Sequence, residues 1–118
     1  MVAIVDDDEG MRQAMRRVME TAGFATEVFS TAEAFVASGA AARTACLVLD
    51  LHLPGMSGYE LDARLRAMGR RLPTVFVTGH GTKETVNCLI KPFPAETLLQ
   101  AVRESIATGA KARKEGKA

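Results

Sequence analysis

The chain has 118 residues, 47% hydrophobic and 25% charged, with a net charge of +1; that length fits one compact domain with a single core. The charge balance excludes a global field for nucleic acid. No apolar run approaches the roughly 18–20 residues of a membrane span, and no leader-like pattern opens the chain.

Val2–Val5 reads as a short apolar strand that stops at Asp6, Asp7 and Asp8. Met11, Met15, Val18, Met19 and Ala22 recur at helical spacing and predict a core-facing helix that Gly23 ends. Ala25–Phe29 is a second strand, and Thr31 precedes a short helix through Ala37, ended near Gly39. Cys46–Leu49 is continuously apolar, as in a strand buried on both faces. Gly58–Met68 is helical, with Leu61, Leu65 and Met68 on one side. Pro73 opens the strand Thr74–Val77, and Cys88–Ile90 is the last strand. Pro94 suits a first helical turn, and Leu98, Leu99, Val102 and Ile106 line the final helix. Cys46 and Cys88 sit in strand-like contexts and read as reduced core residues of a cytoplasmic protein, without a disulfide or metal framework. Residues 109–118 carry Lys111, Arg113, Lys114 and Lys117 against Glu115 alone. They are expected to form a solvated basic tail outside a domain of residues 1–108, since four charges hold a phosphate backbone only weakly.

Alternating strands and helices predict a doubly wound α/β domain with a parallel sheet. In such sheets the chemistry gathers beyond the carboxyl ends of the strands. Asp6, Asp7 and Asp8 follow the first strand, Asp50 the third, Thr78 the fourth and Lys91 the fifth. Converging carboxylates need a compensating charge, and Mg²⁺, a hard cation that takes oxygen ligands, supplies it. Asp8 is expected to be a helix N-cap instead.

Four stretches together resemble the receiver domains of response regulators: residues 2–8, residues 47–58 (Leu-Val-Leu-Asp-Leu-His-Leu-Pro-Gly-Met-Ser-Gly), residues 77–81 (Val-Thr-Gly-His-Gly) and residues 91–93 (Lys-Pro-Phe). The resemblance reaches from residue 1 to about residue 108, with wording nearest the nitrogen-fixation and nitrate-type regulators. It implies a flavodoxin-like five-stranded sheet of order 2-1-3-4-5. It also implies a signalling module, not a turnover enzyme, that takes a phosphoryl group from a sensor histidine kinase. Asp50 is then the phosphoacceptor. Asp6, Asp7, Asp50 and the backbone carbonyl of His52 bind Mg²⁺. Lys91 pairs with the phosphoryl group or with Asp50, and Thr78 brings its hydroxyl to a phosphoryl oxygen. The His52 imidazole is expected to be a solvated loop side chain, as is that of His80.

Two departures concern output. The family's aromatic switch position, three residues before the lysine, is Cys88 here. The stretch Gly79–Asn87 is also short for a parallel crossover, which normally takes at least about 10–12 residues. Either the fourth helix is shortened or missing, or residues are absent from the sequence around Thr82–Val86. A true deletion would expose apolar sheet surface and favour a homodimer. No membrane partner is expected, and nucleic acid only through an output domain that these residues do not encode. Two other functions compete. A pseudo-receiver would bind partners without cycling phosphate. A haloacid-dehalogenase-like phosphatase would use Asp6-Asp7-Asp8, but Gly10 stands where its Asp-x-Asp-x-Thr pattern needs Thr.

Overall fold

A computed structural model of the chain describes residues 1–79 and 88–116, with side chains as far as Gly109. The expectations for His80, and for a shortened or missing helix before Cys88, lie outside the described residues.

Five strands, β1 (Val2–Val5), β2 (Thr26–Phe29), β3 (Cys46–Asp50), β4 (Thr74–Thr78) and β5 (Cys88–Ile90), form one parallel sheet. Their order is β2-β1-β3-β4-β5, the flavodoxin-like arrangement implied above. β1 and β3 are buried at every position, which explains why they carry unbroken apolar runs and not an alternating pattern. Four α-helices are present among the described residues: α1 (Glu9–Thr21), α2 (Ala32–Ser38), α3 (Gly58–Ala67) and α4 (Ala95–Gly116).

The two faces of the sheet sort by residue parity. Val2, Ile4, Cys46, Val48, Val75 and Val77 pack with Met15 and Met19 of α1 and Leu98 and Val102 of α4. Ala3, Val5, Leu47 and Leu49 face the other way, onto Phe35 of α2 and Leu61 and Leu65 of α3. Each fully buried side chain of this size contributes about 1.5–3 kcal/mol of transfer free energy.

Local chemistry sets the helix ends. Asp8 caps α1 by accepting from the Gly10 N–H, and the Thr31 hydroxyl accepts from the Ala34 N–H at the start of α2. Ser57 and Glu60 form a reciprocal capping box on α3. Gly39, at φ +73°, ends α2 in the left-handed region that a side chain disfavours.

Four sequence expectations differ from the structure. Met68 is 55% exposed, because α3 ends at Ala67 and Met68, its C-cap, turns away from the core. Cys88 is half-buried, unlike Cys46, which is in the core; both thiols are free. β2 starts at Thr26, whose hydroxyl bonds back to the Phe24 carbonyl. α4 continues to Gly116, so its backbone carries the first part of the basic segment.

Candidate functional site

Strand register alone brings the polar strand-end residues together. Val5 pairs with Leu49, so Asp6 and Asp50 lie one step further on, side by side. Asp50 pairs with Val77, and Thr78 with Ile90, which sets Lys91 one step past β5. The Lys91 N–H donates to the Thr78 carbonyl at 2.8 Å and continues the ladder. The Lys91–Pro92 peptide is cis.

Asp6 and Thr78 are fully buried, Asp50 is 4% exposed, and Asp7 lies at the surface. The Lys91 ammonium donates to Asp6 Oδ2 at 2.8 Å and to Asp50 Oδ2 at 3.2 Å. The other oxygen of each carboxylate is held by main chain: Asp8 N donates to Asp6 Oδ1, and His52 N to Asp50 Oδ1, each at 2.9 Å. Both aspartates are thereby fixed before any ligand arrives.

Oxygens of Asp6, Asp7 and Asp50 lie within 4.8 Å of one another. Two full charges at that separation repel by about 3 kcal/mol at an effective dielectric of about 20. Among the described residues, only Lys91 forms ion pairs in this cluster, with Asp6 and Asp50. Burial pushes the Asp6 carboxyl above its ordinary range, and the Lys91 hydrogen bond only partly counters this. Burial also works against the charge on Lys91, but bonding and attraction from Asp6 and then Asp50 outweigh it and raise its pKa. These directions agree, because one ammonium is shared between two carboxylates. The cluster carries excess negative charge on hard oxygen donors, which fits a divalent cation such as Mg²⁺.

Three supporting residues were not singled out from the sequence. Arg12 of α1 donates from Nη1 to the Asp6 carbonyl at 2.9 Å and ties the helix to the site. Glu33 of α2 accepts from the Met56 N–H at 3.0 Å, which holds its carboxyl below the usual range and anchors the loop after Asp50. Gly58 lets α3 start against that loop: a Cβ there would lie 2.3 Å from the Asp50 carbonyl oxygen. Glu33 and Met56 are 23 residues apart, so no local pattern signals their pairing. Gly58 had a signal, since it directly precedes a helical pattern and follows the Ser57 cap.

Comparisons with known proteins agree on one family. The model of the response regulator receiver domain matches residues 2–103. The response regulator protein TodT of Pseudomonas putida is 30% identical over 90% of this chain and 51% of its own length. The transcriptional regulatory protein FixJ of Azorhizobium caulinodans is 31% identical over 92% of this chain and 56% of its own. The chain thus spans about half the length of the curated relatives it matches. Among solved structures, the response regulator StyR superposes with a TM-score of 0.84 at 36% identity, covering 98% of this chain and 63% of that one. The FixJ-N crystal structure gives 0.78 at 32% identity, covering 90% of this chain and 92% of that one.

Proposed function

The chain belongs to the response-regulator receiver domain family, and on that premise we propose that Asp50 accepts a phosphoryl group from a sensor histidine kinase. The observation that carries this is the setting of the Asp50 carboxylate. It is nearly buried, fixed by the His52 N–H and the Lys91 ammonium, and set beside two further carboxylates.

In the transfer, a carboxylate oxygen of Asp50 attacks the phosphorus of a phosphohistidine. The new P–O bond forms as the P–N bond breaks, and the imidazole leaves with the electron pair. Asp6, Asp7, Asp50 and the backbone carbonyl of His52 would hold Mg²⁺ there. Bound Mg²⁺ offsets charge on the phosphoryl oxygens. Lys91 would move its hydrogen bonds onto the phosphoryl group, and the Thr78 hydroxyl would meet a phosphoryl oxygen. The module then signals by changing what it binds, in the cytoplasm.

The test is an intact mass after incubation with Mg²⁺ and acetyl phosphate, alongside Asp50→Asn. The expected result is one phosphoryl adduct on the wild type, absent from the variant. No adduct on the wild type overturns the proposal and leaves a binding module; steady turnover of a simple phosphate ester would mark a phosphatase instead.

A further inference from the structure

Parallel sheets are normally covered by helices on both faces. Here α1 and α4 cover one face across β1, β3 and β4. On the other face α2 and α3 cover β1 and β3. Among the described residues no helix covers the outer half of that face, formed by β4 and β5. Phe76 of β4 pairs with Cys88 of β5, and Ile90, which shares their side of the sheet, is 52% exposed.

Beside α3 this half-sheet opens into a cleft of about 460 Å³, within the roughly 300–1,000 Å³ of ordinary ligand clefts. Its floor is apolar: Leu65 of α3, Leu72 and Phe76. Around it stand Arg66, Arg70 and Arg71, all exposed, against the one carboxylate of Asp62, a net positive lining. Arg66 pairs with Asp62 at 3.1 Å. Neither Arg70 nor Arg71 has an ion pair among the described residues.

We infer that this cleft is a docking site for an acidic amphipathic helix of a partner protein. The floor asks for an apolar stripe at helical spacing, and the arginines ask for carboxylates flanking it. A second copy of this chain is a poor occupant. α1 and α4 carry more basic than acidic residues, α3 is balanced, and α2 has only seven residues. The inference stands on the cleft alone and does not depend on phosphorylation of Asp50.

The probe is a synthetic helical peptide with Leu at i, i+3, i+4 and i+7 and Glu at the flanking positions. Its control carries Lys for each Glu. Titration of the ¹⁵N-labelled full chain should shift the amides of Leu65, Leu72 and Phe76 with the Glu peptide and not with the Lys peptide. The double variant Arg70→Glu, Arg71→Glu should weaken the Glu peptide at least tenfold and bind the Lys peptide instead. Both residues are exposed, and an unchanged amide spectrum elsewhere confirms the variant's fold. Equal binding of both peptides, shifts outside the cleft, or no saturation by about 1 mM, a free energy of about −4 kcal/mol, overturns the inference. So does a cleft-centred shift on raising protein concentration alone, which would make a second copy the occupant.

Discussion

Lys91 lies closer to Asp6 than to Asp50, at 2.8 Å against 3.2 Å. Its first partner is therefore the aspartate assigned to metal binding, with the proposed phosphoacceptor second. Lys91→Met removes the ammonium and leaves two buried carboxylates facing each other. Removing one member of a buried ion pair costs about 3–5 kcal/mol; partial exposure of Lys91 reduces this to about 2–4 kcal/mol. Urea unfolding without metal should show that loss, and added Mg²⁺ should recover part of it.

Asp50→Asn should act in the opposite direction. It keeps an oxygen for the His52 N–H and removes one charge from a cluster with too many. We expect the metal-free variant to melt higher than wild type by roughly 3–6 °C, corresponding to about 1 kcal/mol at this size. Calorimetry in the presence of a chelator measures it, and a lower melting temperature would contradict the electrostatic account of the site.

Stability should depend on Mg²⁺ and pH together. The folded-state pKa of Asp6 is raised above its ordinary 3.8. Its contribution to stability is therefore full below 3.8 and is lost as pH rises through the folded value. Mg²⁺ competes with that proton. Its stabilisation should be near zero at low pH and grow toward neutrality, to about 2.7 kcal/mol at a hundredfold excess over Kd. Lys91 governs the alkaline side. Its pKa lies above the ordinary 10.5, so its contribution is full below 10.5 and is lost as pH climbs through the folded value. Thermal melts across pH, with and without Mg²⁺, should show both limbs, and Lys91→Met should lack the alkaline one.

Gly58→Ala gives a test of opposite signs. In a helix Ala is favoured over Gly by about 1 kcal/mol. Here the added Cβ would meet the Asp50 carbonyl oxygen at 2.3 Å and Leu51 Cα at 2.8 Å, both main-chain atoms. Overpacking should win, with a net loss of about 1–3 kcal/mol. The displaced Asp50–Leu51 segment should also bind Mg²⁺ more weakly, read by a titration that follows melting temperature. A stabilised Gly58→Ala would show that α3 does not rest on the loop as described.

Much of the site was legible because several apolar strand runs end on a polar or charged residue at the same end of the sheet. Asp6, Asp50, Thr78 and Lys91 stood out as interruptions of apolar runs, and the register brings all four to one edge of the sheet. Long-range supports were not legible. Nothing near Glu33 announces Met56, and Arg12 acts through a guanidinium on a backbone carbonyl that every residue possesses. Met68 failed for a third reason: spacing predicts a face only while the helix lasts, and α3 stops one residue short.

α4 begins just past Lys91, and Gly109 further along it sits against Pro73, where a Cβ would lie 2.5 Å from the ring. The helix therefore runs from the edge of the sheet that holds Asp50 to the opposite one. Its 22 residues make a rod of about 33 Å. Gly116, at the end of that rod, therefore lies far from the carboxylates. News of events at Asp50 would reach it as angle more than as contact. A tilt of about 5° about the Gly109–Pro73 contact moves the far end, roughly 10 Å beyond that fulcrum, by about 1 Å.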